Sequence, residues 1–185
     1  LKHYYPTEFM AAILTLERNN TDKVVKYVDE LKSMGIKLLP PDVNKSGLVF
    51  EARNIDGDEV VMFGMGAVKG AGEIAIKSIL TSRGEGEFKD ISDFVSRIDS
   101  SKVNKKVIES LIKAGAFDRL HPNRAQVFAI IDPLVQYATA YQQDLQSEQE
   151  SLFAGAAQPI IPPPPLPDID DWPQLEKLRH EFSAI

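Results

Sequence analysis

The sequence predicts a mainly α fold: a pair of helical hairpins, a small β-sheet inserted before them, and a proline-rich, largely extended C-terminal tail. Three observations carry this reading. Apolar residues recur at helical spacing over much of residues 6–35 and 64–148. Between positions 36 and 63 the pattern changes to short β-prone runs broken by turns. Seven of the twelve prolines lie between Pro159 and Pro173, a composition that favours polyproline II over a packed element.

Taken in order, Phe9, Ile13 and Leu16 mark a first helix, and Val24, Val25, Val28 and Leu31 a second. Thr21-Asp22 offers the second an N-cap, and Gly35 after Met34 a stop. Ile36 to Leu39, Leu48 to Ala52 and Glu59 to Phe63 read as strands, separated by Pro40-Pro41 and by a turn at Asp56-Gly57. Residues 64–120 read as short helices with glycine-rich joints, and residues 124–148 as one further helix. Asp171 to Ser183 re-enters a helical pattern after the tetraproline run Pro162–Pro165.

Composition narrows the functional classes. Cys is absent from the 185 residues, which excludes disulfides and thiolate metal sites and agrees with a cytoplasmic setting. His3, His121 and His180 lack ligand spacing, so no metal site is expected. No apolar run approaches the roughly 20 residues of a membrane span, and the first residues, Leu1 to Pro6, carry neither an initiator Met nor a signal-peptide core. The sequence therefore reads as a portion of a larger polypeptide. The net charge of −6 is uneven: residues 141–185 hold eight acids against Lys177 and Arg179, while residues 66–124 hold eleven Lys or Arg against eight Asp or Glu. Global acidity thus says little against nucleic-acid binding, because placement decides it.

The sharpest chemistry lies in the run from Val68 to Ile79. Gly70-x-Gly72 permits a tight turn, and a helix starts at once with Ala75 and Ile79 facing back. The free N–H groups of that helix start, with its dipole behind them, can hold one phosphate, and Lys69 and Lys77 can add cations. A dinucleotide-binding reading of Gly64-x-Gly66 and Gly70-x-Gly72 fails on spacing and on the absence of a βαβ pattern. About thirty residues on, Ile91, Phe94, Val95 and Ile98 form an amphipathic helix, Asp99-Ser100-Ser101 a turn and cap, and Lys102 to Lys113 a basic helix. Phosphate contacts there fall to Ser100, Ser101, Lys102, Lys105 and Lys106. The bland counterparts are a glycine-rich turn between packed helices and a solvated basic helix start.

These units resemble tandem helix-hairpin-helix motifs, whose family role is sequence-independent binding of a DNA backbone. Gln149-Glu150-Ser151-Leu152-Phe153 resembles the clamp-binding peptide of bacterial replication proteins, in which Gln149, Leu152 and Phe153 would enter a groove of the sliding clamp. Further matches run in order along the chain: His3 to Ala12, Met34-Gly35-Ile36 with Leu39 to Asn44, Phe63 to Gly70, and Val103 to Asp118. Together they resemble the C-family replicative polymerases, in the region of the DNA polymerase III alpha subunit that runs from the fingers to the clamp-binding motif. Tyr5, the proline-rich tail, Phe182 and Ile185 depart from that pattern.

The resemblance implies end-of-fingers helices at 1–35, a small β subdomain at 36–63, the hairpin domain at 64–145, a clamp-binding segment at 146–155, and a linker at 156–185 toward a missing OB domain. It implies double-stranded DNA, the sliding clamp and the rest of the polymerase chain as partners, with no membrane. It also implies that the parent is a DNA-directed DNA polymerase using Mg2+, whose palm carboxylates lie outside this chain. No catalytic residue and no cofactor are therefore expected here, and Asp170-Asp171 or Asp56 with Asp58 do not replace the palm acids. Two other classes compete: a base-excision enzyme using Asp90, Asp93 or Asp99, which lacks a base-stacking aromatic cluster nearby, and an interaction scaffold whose hairpins serve only packing.

Overall fold

A computed structural model describes residues 2–150 and 161–184. Pro6 pre-sets the first turn of α1 (Pro6–Leu16), and Glu8 faces the positive end of its dipole. Its buried face is Thr7, Met10, Ala11 and Leu14, while Leu16, expected inside, is 80% exposed. α2 (Thr21–Ser33) is capped one residue earlier than Thr21-Asp22 suggests: the Asn20 side chain accepts the Lys23 N–H. It ends as predicted at Gly35, with φ +73, where Ile36 N–H bonds Leu31 O and Gly35 N–H bonds Lys32 O.

The sheet has the order β1-β3-β2, with β1 (Lys37–Leu39) parallel to β3 (Asp58–Met62) and β2 (Glu51–Ile55) antiparallel to it. Asp56 and Gly57 both take positive φ, as a two-residue hairpin turn requires. The expected strand at Leu48 to Ala52 lies three residues further on. Leu48 to Phe50 instead crosses the glycine-rich segment: Gly66 N–H donates to Leu48 O, and a Cβ at Gly64 would sit 2.4 Å from the Val49 carbonyl carbon. Gly64 and Gly66 are therefore explained by close backbone approach.

A 3-10 turn (Met65–Ala67) leads into α3 (Glu73–Arg83), followed by α4 (Ile91–Arg97), α5 (Lys105–Lys113), α6 (Arg124–Ala129), α7 (Ile131–Glu150) and α8 (Gln174–Ser183). The single helix expected over 124–148 is two helices. Pro133 has no N–H to give the Ala129 carbonyl and its ring crowds that turn, so the chain restarts at Ile131. One continuous core joins Met10, Leu14, Val61, Phe63, Ile76, Ile79, Phe94, Leu111, Ile112, Phe117, Ile131 and Leu134. Among the described residues no helix is long and apolar enough to cross a membrane.

Residues 161–173 carry no regular structure, in keeping with the proline content, but they do not leave the body. Gln126 Nε2 donates to Pro167 O and Asn123 Nδ2 to Ile169 O, both at 3.0 Å. Trp172 meets Phe128 edge-on at 5.3 Å. α8 is then held by Arg124, which forks onto Asp118 at 2.8 Å through Nε and Nη2 and reaches Glu181 Oε1 at 2.6 Å. Arg124→Ala should lower unfolding stability by about 2–3 kcal/mol, less than the roughly 3–5 kcal/mol of a fully buried pair because water reaches both carboxylates. Chemical denaturation checks the magnitude, and hydrogen exchange should rise in residues 174–183 before it rises elsewhere.

Candidate nucleic-acid interface

In the first hairpin Ala71 N–H closes a β-turn on Val68 O, with Gly70 at its third position and φ +87. Gly72 follows with φ +70 and ψ 142, a region open at little cost only to glycine, and forms the N-cap of α3. No side chain caps that helix, so its first-turn N–H groups face outward. Ala75 and Ile79 are buried as the motif requires, and Ile74 is 73% exposed beside the turn. A recess of about 330 Å³ opens here, walled by Arg18, Asn19, Lys69, Gly70, Gly72 and Glu73.

Two contacts modify the predicted phosphate cradle. The Lys69 N–H already donates to Ala184 O at 2.7 Å, so the tail takes one backbone donor of the turn. Glu73 receives Lys77 at 2.7 Å and Arg18 at 3.4 Å, and the Lys77 bond above all holds its carboxyl below the usual range. Lys77 is therefore a paired cation, and Arg18 is a site residue that the sequence did not single out.

The second hairpin differs from its predicted form at the cap. α5 starts at Lys105, and its cap is Asn104, whose side chain accepts Val107 N–H at 3.1 Å, rather than Ser100 or Ser101. Asp99 organises the loop before it: it accepts Ser101 Oγ at 2.6 Å and Ser101 N–H at 3.0 Å, and pairs with Lys102 at 3.0 Å. Lys105 is drawn to Asp132 of α7 at 2.6 Å. Of the predicted cations, only Lys69 and Lys106 form no ion pair among the described residues, and Ser100 is exposed at the loop tip.

The structure brings some of these residues together. A Cβ on Gly70 would lie 2.8 Å from Ser110 Oγ and 4.0 Å from Lys106 Cε, so the first turn rests directly on α5. Lys69, Gly70 and Lys106 thus share one surface, while Lys102 and Lys105 are bound into the loop and toward α7. Gln149, Leu152 and Phe153 lie outside the residues whose side chains are described.

The helix-hairpin-helix motif family matches residues 35–127, which takes in the sheet and both hairpins. The chain belongs to the helix-hairpin-helix family. It is 46% identical over 153 residues to the DNA polymerase III subunit alpha of Campylobacter jejuni, covering 83% of this chain and 13% of the relative. Over its whole length it is 43% identical to the subunit of the same name from Vibrio cholerae and 39% identical to that from Thermus aquaticus, covering 16% and 14% of those proteins. The resemblance to the polymerase III alpha subunits seen in the sequence therefore holds from end to end, and the chain spans about one-seventh of such relatives.

Asp99 gives this helix-hairpin-helix surface a testable electrostatic signature. The Ser101 hydroxyl, the Lys102 ammonium and the Ser101 N–H pull its carboxyl from an ordinary 3.8 to about 2. A depressed carboxyl pKa favours the folded loop above pH 3.8, and that contribution is lost as pH falls through about 2. Carboxyl-detected NMR should find the Asp99 midpoint near 2, and Ser101→Ala should move it upward by removing the largest cause.

Proposed function

We propose that this chain is the DNA-grip and clamp-tether portion of a bacterial replicative polymerase, with double-stranded DNA held through its backbone. The observation that carries the reading is the shared surface of the Gly70–Gly72 turn, Lys69 and Lys106, in a helix-hairpin-helix chain whose relatives are polymerase alpha subunits. Uncapped N–H groups at the start of α3 supply directional donors for one phosphate oxygen. Lys69 and Lys106 supply charge with no ion pair among the described residues to displace. Such contacts fix position on a duplex and carry no sequence information. Polymerisation itself, with its Mg2+, belongs to parts of the polypeptide outside these residues, in the cytoplasm.

The tether is assigned to Gln149, Leu152 and Phe153. Two adjacent apolar anchors burying themselves in a clamp groove gain roughly 3–6 kcal/mol, and ordering the segment takes back much of that. Micromolar affinity for one clamp site is the expected result.

Two measurements test these assignments. With duplex DNA of arbitrary sequence, Lys69→Glu combined with Lys106→Glu should weaken binding at least about tenfold at low salt and flatten the log–log salt slope by about two. Lys102→Glu with Lys105→Glu should do less, since both cations are already paired; equal losses would remove the assignment of the surface. Separately, Leu152→Ala with Phe153→Ala should abolish binding to the sliding clamp while melting temperature and DNA affinity stay near wild type. Early melting, or retained clamp binding, would mean these side chains serve the fold.

A further inference from the structure

The α1–α2 loop is laced to the first hairpin. Asn20 N–H closes a turn on Glu17 O at 2.8 Å, and Thr15 Oγ1, near the end of α1, accepts the Phe50 N–H at 3.1 Å. Phe50 ends the segment that crosses the glycines, where Gly66 N–H donates to Leu48 O at 2.9 Å. Arg18 and Asn19 are thereby brought into the wall of the recess of about 330 Å³ that Lys69, Gly70 and Glu73 also line.

Arg18 is held there loosely. Its side chain is 26% exposed, Nη1 donates to Thr15 O at 3.1 Å, and Nη2 reaches Glu73 Oε2 only at 3.4 Å. A strong charge-assisted bond between such groups is roughly 2.7–2.9 Å long. Glu73 makes that bond with Lys77 instead, at 2.7 Å, so it does not depend on Arg18 to stay paired. The acid next to Arg18 in the loop, Glu17, is taken by Lys23 at 2.8 Å. Residue 18 also lies outside residues 35–127, the span that matches the helix-hairpin-helix family, so this cation is no part of that motif.

We propose that Arg18 is a phosphate ligand supplied from outside the motif: the DNA phosphate received by the Gly70–Gly72 turn takes its guanidinium from Glu73, so loop and hairpin hold one phosphate together. This role presupposes that the turn receives DNA, as proposed above. A guanidinium presents a planar fork of N–H donors that matches two oxygens of one phosphate, which a lysine ammonium does not. Glu73 is then the anion that Arg18 keeps in the free protein. Its carboxyl is held below the usual range, chiefly by Lys77, so it is ionised at neutral pH and retains Lys77 when Arg18 leaves. The exchange trades one long ion pair for a phosphate contact and leaves no carboxylate unpaired.

Binding of a duplex of arbitrary sequence, measured over a range of salt concentrations, tests this role. Arg18→Ala should weaken binding about tenfold at low salt and flatten the log–log salt slope by about one. Glu73→Gln should strengthen binding, and that gain should shrink in the Arg18→Ala background, because no guanidinium is left to release. In the wild-type protein the Arg18 guanidinium N–H resonances should shift on addition of the duplex. Those of Arg53, paired with Glu51 at 2.7 Å on β2, should stay in place. This second readout needs no variant, so a loss of fold cannot imitate it. An unchanged slope in Arg18→Ala, or unmoved Arg18 resonances, overturns the role of Arg18; if Lys69→Glu with Lys106→Glu still abolishes binding, the DNA assignment stands without it. Binding that survives this charge reversal as well removes the turn as a DNA site, and the role of Arg18 with it.

Discussion

Arg124 is the charge on which the C-terminal half of this molecule depends. Its guanidinium is only 6% exposed, and an ion taken that far from water without partners costs several kcal/mol. Four of its five N–H groups are answered: Asp118 accepts from Nε and Nη2, Glu181 from Nη2, and the Lys113 carbonyl from Nη1 at 3.3 Å. Burial lowers its pKa, and the two carboxylates more than reverse that, so the charge is held. The same group explains Gly115. That residue ends α5 with φ +83, and a Cβ there would lie 2.5 Å from Arg124 Nη2. The end of α5, the start of α6 and the face of α8 are therefore set by one planar cation.

What Arg124 fixes is transmitted to the hairpins through backbone. Glu181 positions the last turn of α8, Ala184 then places its carbonyl on the Lys69 N–H, and Gly70 settles against Ser110 of α5. Beneath them Phe88, Phe94 and Phe117 meet edge-to-face at 4.9 and 4.8 Å, joining α4 to the end of α5. Edge-to-face pairs restrict ring orientation as well as burying area. Helix starts that would each be mobile alone are thus held in one arrangement, and holding donors in place lowers the entropy lost when a phosphate arrives.

Local signals in the sequence were legible in proportion to how local their causes are. Gly35, Asp56-Gly57 and the apolar spacing of α2 and α4 each depend on residues within one turn or two, and each appears where the sequence puts it. Long-range causes were not legible. β2 is displaced because Leu48 to Phe50 must pass over Gly64 and Gly66, a contact between segments that no period reports. The break before α7 was readable from Pro133 and was outweighed by the apolar spacing around it. At the interface, the glycines and their turn could be found from spacing alone. That Lys105 belongs to Asp132 could not, since the partner lies twenty-seven residues away on another helix.

This pairing changes the meaning of the basic stretch. Residues 66–124 carry three more cations than acids, which by count suggests a diffuse positive field. Lys77, Lys102 and Lys105 are each neutralised by a neighbour within 3.0 Å, and Arg124 is sealed between carboxylates. Exposed pairs of this kind contribute little stability, yet they do remove charge from the field a ligand meets. Among the described residues of this stretch Lys69, Lys89 and Lys106 stay exposed without an ion pair, and of these Lys69 and Lys106 lie by the turn whose direction is fixed by Gly70 and Gly72. A turn with two cations unpaired among the described residues and a few oriented N–H groups suits contact with one or two phosphates at a time. Such contacts are individually weak, fall off with salt and carry no base information.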